Sequence, residues 1–149
     1  MREIAISSGM DSFVMVDCIR EAGPEVITAV KAMQGAPAFA GIESLAQAAA
    51  LHVRYLNDFS RHAFLLKIQG CSLPAPGGLD GEFLVRGVLK ARSASTFSYA
   101  MSLEKEGRKI MEGDFLIGTV EYDGRFRKDV LEQRYREVFS CLLTGSRPG

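Results

Sequence analysis

Three polar side chains interrupt a nearly all-apolar stretch. They are Glu43, Gln47 and Arg54, and they stand at i, i+4 and i+11. On an α-helix that spacing makes one stripe. A carboxylate set in such a stripe is a residue type suited to general acid–base chemistry. It is also a type that the helix dipole favours in a first turn, worth about 0.3–1 kcal/mol. The chain holds only two histidines, His52 and His62. His52 follows Glu43 by nine residues, which places it on the opposite helix face, roughly 13 Å along the axis, and out of reach as a partner. His62 opens a strand and reads as a surface histidine, unless a dimer mate brings it near a site. Cys71 follows Gly70 on a strand that looks buried, where a small core residue is the default; no base stands near it in sequence to make it a nucleophile. Arg86, Lys90 and Arg92 alternate onto one strand face, as a solvated face or as a landing patch for an acidic partner.

The element that must position Glu43 is the stretch Phe39–His52, FAGIESLAQAAALH. It reads as a helix of roughly four to five turns with Glu43 in its first turn. Apolar residues lie on nearly every face, which marks a buried helix. The run is too short and too often interrupted to span a bilayer, which takes about 20 apolar residues. Its small residues Gly41, Ala46, Ala48, Ala49 and Ala50 allow a sheet or a second helix to come close.

Around it the pattern is mostly period 2. Residues 1–12 read as an irregular lead. Phe13–Arg20 and Glu25–Met33 form a hairpin about the Ala22-Gly23-Pro24 turn, and Gln34–Ala38 breaks the chain before the helix. Asn57-Asp58 stops the helix. Ala63–Leu73 is a long strand, its Gly70 marking a bulge or close backbone approach. Glu82–Arg92, Thr96–Leu103 and Lys109–Val120 follow as strands, the last two turning at Glu106-Gly107. Arg125–Leu143 is an amphipathic helix with the stripe Phe126, Val130, Leu131, Tyr135, Val138, Phe139 and Leu142, expected to pack on its own subunit. The order β-β-α-β-β-β-β-α pairs one apolar helix with a sheet that needs one face covered. The economical solution is an antiparallel sheet wrapped around the helix, an α+β class.

The 149 residues read as one domain, with a core over about 12–122 and the C-terminal helix over about 125–143. Apolar residues make up 47% and charged residues 24%, enough for a core and too little charge for disorder. Lys plus Arg and Asp plus Glu are 18 each, so no basic footprint points to nucleic acid. Cys18, Cys71 and Cys141 lie far apart with no CxxC pair. That pattern suggests reduced thiols in a cytoplasmic protein, with no zinc site, no other metal and no cofactor. The N-terminus has no apolar run of signal-peptide length.

The element order together with GIESLAQAAA at the helix start resembles the hot-dog fold. Within it, the chain resembles the 3-hydroxyacyl-(acyl-carrier-protein) dehydratases of the thioester dehydratase/isomerase superfamily, including dehydratase-like proteins of polyene-type pathways. The likeness covers roughly residues 12–121. FVMVDCIREAGPEVITAVKAM resembles the opening hairpin, GIESLAQ the helix motif with the family's catalytic carboxylate, KIQGCSLPAPGGLD the next strand and its turn, and KARSASTFSYAMSLEKEGRKIMEGD the last hairpin. The resemblance implies a homodimer or higher even oligomer whose sheets join edge to edge. It implies an acyl thioester substrate, on an acyl carrier protein or coenzyme A, and a hydro-lyase activity in fatty-acid or polyketide-like synthesis. It carries over Glu43 as the catalytic carboxylate, and Gln47 and Gly41 as substrate-binding residues, Gly41 as a backbone donor at the helix start. The family's histidine loop between the second strand and the helix is absent: QGAPAFA stands there. Two rivals follow from that departure, an acyl thioesterase in which Glu43 activates water, and a non-catalytic acyl-binding subunit paired with an active dehydratase.

Overall fold

The computed structural model describes residues 16–74, 76–122 and 128–144 of the chain. The elements are β1 (Cys18–Ala22), β2 (Val26–Ala36), α1 (Ala38–Leu56), β3 (His62–Gln69), β4 (Leu79–Arg92), β5 (Thr96–Lys105), β6 (Arg108–Val120) and α2 (Lys128–Thr144). Their order is the expected one. The six strands form one antiparallel sheet in the order β1-β2-β4-β5-β6-β3. α1 lies on one face of it, touching β2, β3, β4, β5 and β6.

That close approach is written in the small residues. Ala48 and Ala49 are fully buried. A Cβ added at Gly41 would meet Met111 Sδ at 2.7 Å and Leu79 Cδ1 at 3.1 Å, so glycine is what lets the helix seat against β4 and β6. Leu45, Leu51 and Val53 on the helix meet Val85, Phe97, Tyr99, Leu103, Phe115 and Ile117 from the sheet in one core.

Several boundaries move. Residues 1–15, and with them the expected lead and the first part of the Phe13–Arg20 strand, lie outside the described residues; β1 begins at Cys18. β2 runs on to Ala36, where a register shift after Met33 takes up Gly35 at φ +59°. α1 starts behind Pro37, which stands extended at φ −71°, and runs past His52 to Leu56. Asn57 then caps it, and Asp58 and Phe59 turn the chain at positive φ. β3 ends at Gln69, earlier than the expected Leu73. Its irregularity falls between Leu65 and Lys67, and Gly70, at φ +60°, is the turn that leaves the strand. α2 begins at Lys128, and Phe126 lies outside the described residues.

Leu131, Tyr135, Val138, Phe139 and Leu142 of α2 are buried, whereas Val130, expected in the same stripe, is half exposed. The helix packs on β1 and on the end of α1 within its own chain. Phe139 stacks on Tyr55 with centroids 5.0 Å apart and meets Phe59 edge-on.

His52 holds the core side of α1. Its Nε2 lies 2.7 Å from the Gly23 carbonyl, so Nε2 carries the proton, and Nδ1 accepts from the Tyr99 hydroxyl at 2.6 Å. Burial lowers the His52 pKa below its ordinary 6.5, against a smaller raising effect of the Gly23 carbonyl. Burial likewise pushes the Tyr99 hydroxyl far up. The unfolded chain therefore takes up a proton at His52 before the folded one does. Stability is full above about pH 6.5 and falls as pH drops through that value. Chemical denaturation from pH 8 to pH 5 should show this slope, and His52→Gln should flatten it. An unchanged slope in the variant would assign the acid sensitivity elsewhere.

Candidate functional site

A groove of about 400 Å³ lies between α1 and β3, the strand at one edge of the sheet. Glu43, Gln47 and Arg54 line its helix side, and His62, Phe64 and Leu65 its strand side. The stripe read from the spacing is thus the polar wall of a groove. Ala46, Ala50 and Ala63 give it a narrow apolar floor. Gly41 faces the sheet, and Glu43, two residues or about 200° further round the helix, points away from it into solvent.

Glu43 is the sixth residue of α1, in its second turn, and the first turn holds no acidic side chain. The expected first-turn position is corrected: α1 starts at Ala38, and the sixth residue of a helix stands beyond its first 3.6-residue turn. The dipole contribution falls off within the first turn, so the helix end does little to hold this carboxylate. Gly41 is the fourth helical residue, just beyond the N–H groups that a helix start leaves free. What the structure gives Gly41 is packing, against Leu79, Leu103 and Met111.

The histidines separate. His52 is turned into the core, away from the groove, as its nine-residue offset from Glu43 dictates. His62, expected at the surface, is only 3% exposed. It sits among Phe64, Tyr122 and Tyr135, with ring centroids 6.2–6.4 Å away. The aromatic residues of α2 and of the segment after β6 cover it, and they are too distant in sequence for a local reading to find. His62 shares the groove with Glu43 but at its other end. Arg54 Nη2 donates to the Ala63 carbonyl at 2.9 Å, which fixes the start of β3 beside the end of α1. Glu43 lies eleven residues back, roughly 16 Å along the helix. Arg54 is itself buried, its guanidinium 3.9 Å from the centre of the Tyr135 ring.

Cys71 lies past the end of β3, half-buried, with its backbone laid across Gly113 of β6. Burial pushes its thiol pKa up, away from the thiolate a nucleophile needs. The patch of Arg86, Lys90 and Arg92 is split. Arg86 pairs with Glu104 at 3.3 Å. A bulge between Leu89 and Ala91 sets Arg92 opposite Phe97, with its guanidinium 4.7 Å from that ring, on the face that carries the core. A second basic cluster, Lys105, Arg108 and Lys109, borders a cavity of about 470 Å³ at the β5–β6 turn. It stood in the sequence as KEGRK, where the turn glycine drew the reading and the charges did not. Among the described residues, no three His, Cys, Asp or Glu side chains are placed to hold a metal ion, and no helix is long and apolar enough to cross a membrane.

No family model matches the chain. No curated protein sequence matches it either. Solved structures do. The dehydratase heterocomplex ApeI:P of Xenorhabdus doucetiae superposes with a TM-score of 0.65 at 12% identity, over 78% of this chain and 88% of that one. A mutant thioesterase of Pseudomonas aeruginosa gives 0.58 at 13% identity, over 69% and 80%. A mutant thioesterase of Staphylococcus aureus gives 0.58 at 13% identity, over 68% and 90%. At these identities the likeness shows the fold, and the fold is the hot-dog fold: an antiparallel sheet with a helix packed on it, here with an added C-terminal helix.

Proposed function

We propose that this protein is a 3-hydroxyacyl-thioester dehydratase of the hot-dog type, acting on carrier-bound acyl chains with Glu43 as its proton-transfer group. The observation that supports this is the groove: a solvent-facing carboxylate on the buried helix, beside a narrow apolar floor that suits an acyl chain. As carboxylate, Glu43 takes the α-proton of the thioester. As acid, it returns that proton to the departing 3-hydroxyl, water leaves, and the enoyl thioester remains with Glu43 in its starting form. One residue in two roles answers the missing histidine loop, since His52 is in the core and His62 at the far end. Gln47, one turn along the stripe, is the hydrogen-bonding neighbour of the bound thioester.

A second reading is an acyl thioesterase, favoured by the thioesterases among the structural neighbours and by a Glu43 open to water. Incubation with 3-hydroxyacyl and saturated acyl thioesters separates the two. Enoyl product without free thiol supports dehydration, and free thiol from the saturated substrate supports hydrolysis. Neither product, with an acyl chain bound, points to a non-catalytic subunit that pairs with an active dehydratase.

The working unit in this reading is a homodimer. Among the described residues β3 is an edge strand paired only with β6, and it exposes Phe64, Leu65 and Leu66 in succession. Soluble proteins cover or charge such an edge, and a second copy added antiparallel covers both edges at once. Light scattering at micromolar concentration should give twice the chain mass, and Leu66→Lys should give the single chain. A wild type that is monomeric there rules the edge-to-edge unit out.

A further inference from the structure

The geometry points to Arg54 as the stop that sets how long an acyl chain the groove accepts, at about ten carbons counted from the thioester carbonyl. The inference rests on the acyl-thioester reading above and narrows its substrate to chains of medium length. Glu43 and Arg54 stand at the two ends of the helix wall of the groove, with Ala46 and Ala50 between them and Ala63 on the strand side. The two walls are joined at one end. Arg54 Nη2 donates to the Ala63 carbonyl at 2.9 Å, and that bond runs from α1 to β3. An alkyl tail that follows the floor away from Glu43 therefore meets the guanidinium.

The packing holds that guanidinium in place. Arg54 is buried, and its guanidinium carbon lies 3.9 Å from the centre of the Tyr135 ring. Tyr135 is itself buried on α2. His62, next to Ala63 in β3, is buried as well, and its ring lies 6.4 Å from that of Tyr135 and 6.2 Å from that of Tyr122. These side chains back the stop, and a close-packed interior leaves a tail no path between them. Tyr135 belongs to the helix added to the hot-dog fold, so α2 makes this end of the groove. The length follows from the helix. Glu43 and Arg54 are eleven residues apart, roughly 16 Å along the axis. The hydrogen bond at the 3-hydroxyl takes about 3 Å of that span, and the contact of the last methyl group with Arg54 about 4 Å. The remaining roughly 9 Å holds about seven carbon–carbon bonds at about 1.2 Å each, the advance of an extended chain. Counted on from the third carbon, they end the chain at about its tenth.

Calorimetry on the full chain with S-alkyl-pantetheine thioethers, from butyl to tetradecyl, reads the stop directly. Affinity should rise about fourfold per methylene, the worth of one buried CH₂, and should stop rising at about decyl. Arg54→Ala should carry the rise on by at least about two methylenes. Ala50→Leu fills the floor one helical turn nearer Glu43 and should end the rise about five carbons earlier. Arg54 also fixes the start of β3, so if Arg54→Ala fails to fold, the wild-type series and Ala50→Leu decide. An unbroken rise to tetradecyl in the wild type overturns the stop and leaves the acyl reading in place. So does an end point that Ala50→Leu, or a folded Arg54→Ala, does not move. Thioethers that fail to bind at every length refute the acyl reading itself, and the stop falls with it.

Discussion

Glu43→Gln should lower the rate of enoyl formation by at least about 100-fold while the protein stays folded. General acid–base catalysis by one positioned group is typically worth about 10²–10⁴-fold, and in this account Glu43 performs both proton transfers. Glutamine keeps the shape of the side chain and removes its proton. Little else should change, because Glu43 is exposed and sits beyond the first turn, where the dipole contribution has decayed. The fall belongs in kcat and kcat/KM together, since the lost interaction serves the reaction more than binding. A variant with the wild-type rate would remove Glu43 from the chemistry. His62 would then be the next residue to examine, being the other titratable side chain in the groove.

Leu45→Asp should abolish or nearly abolish the folded state. Leu45 is fully buried on α1, in the core that joins the helix to the sheet. Losing a buried leucine costs about 2–5 kcal/mol, and an uncompensated carboxylate adds several more. Against a total stability of about 5–15 kcal/mol, little remains. Val130→Asp is the matched control, because Val130 is half exposed on α2 and should melt as the wild type does. A Leu45→Asp variant that melts with the wild type would mean that α1 is not what the sheet is built on.

The parts of the fold that were legible in the sequence are those set by local periodicity. The apolar helix, the alternating strands of the last hairpin and the Glu106-Gly107 turn come from side-chain patterns a few residues long, and each is found where the pattern put it. Ends were less legible. α1 starts at Ala38, one residue before the expected Phe39, and from either start Glu43 stands beyond the first 3.6-residue turn, one turn further in than expected. Gly70, read as a bulge or a close backbone approach inside the strand, stands at positive φ in the turn that ends β3. A bulge changed one face assignment: one extra residue between Leu89 and Ala91 took Arg92 away from Arg86.

For the candidate site, the stripe Glu43, Gln47 and Arg54 was readable because helix spacing alone places it. Its opposite wall was not. His62 is buried by Tyr122 and Tyr135, residues about 60 and 70 positions away, and no local pattern announces a contact of that range. Lys105, Arg108 and Lys109 border one cavity only because β4 and the loop before it close against the hairpin.

The most direct measurement is a crystal structure with a non-hydrolysable 3-hydroxyacyl thioether bound. The account predicts the chain lying between α1 and β3, along Ala46 and Ala50, with its 3-hydroxyl within hydrogen-bond distance of the Glu43 carboxylate. A ligand seated elsewhere, with the groove vacant and Glu43 in solvent, would contradict it.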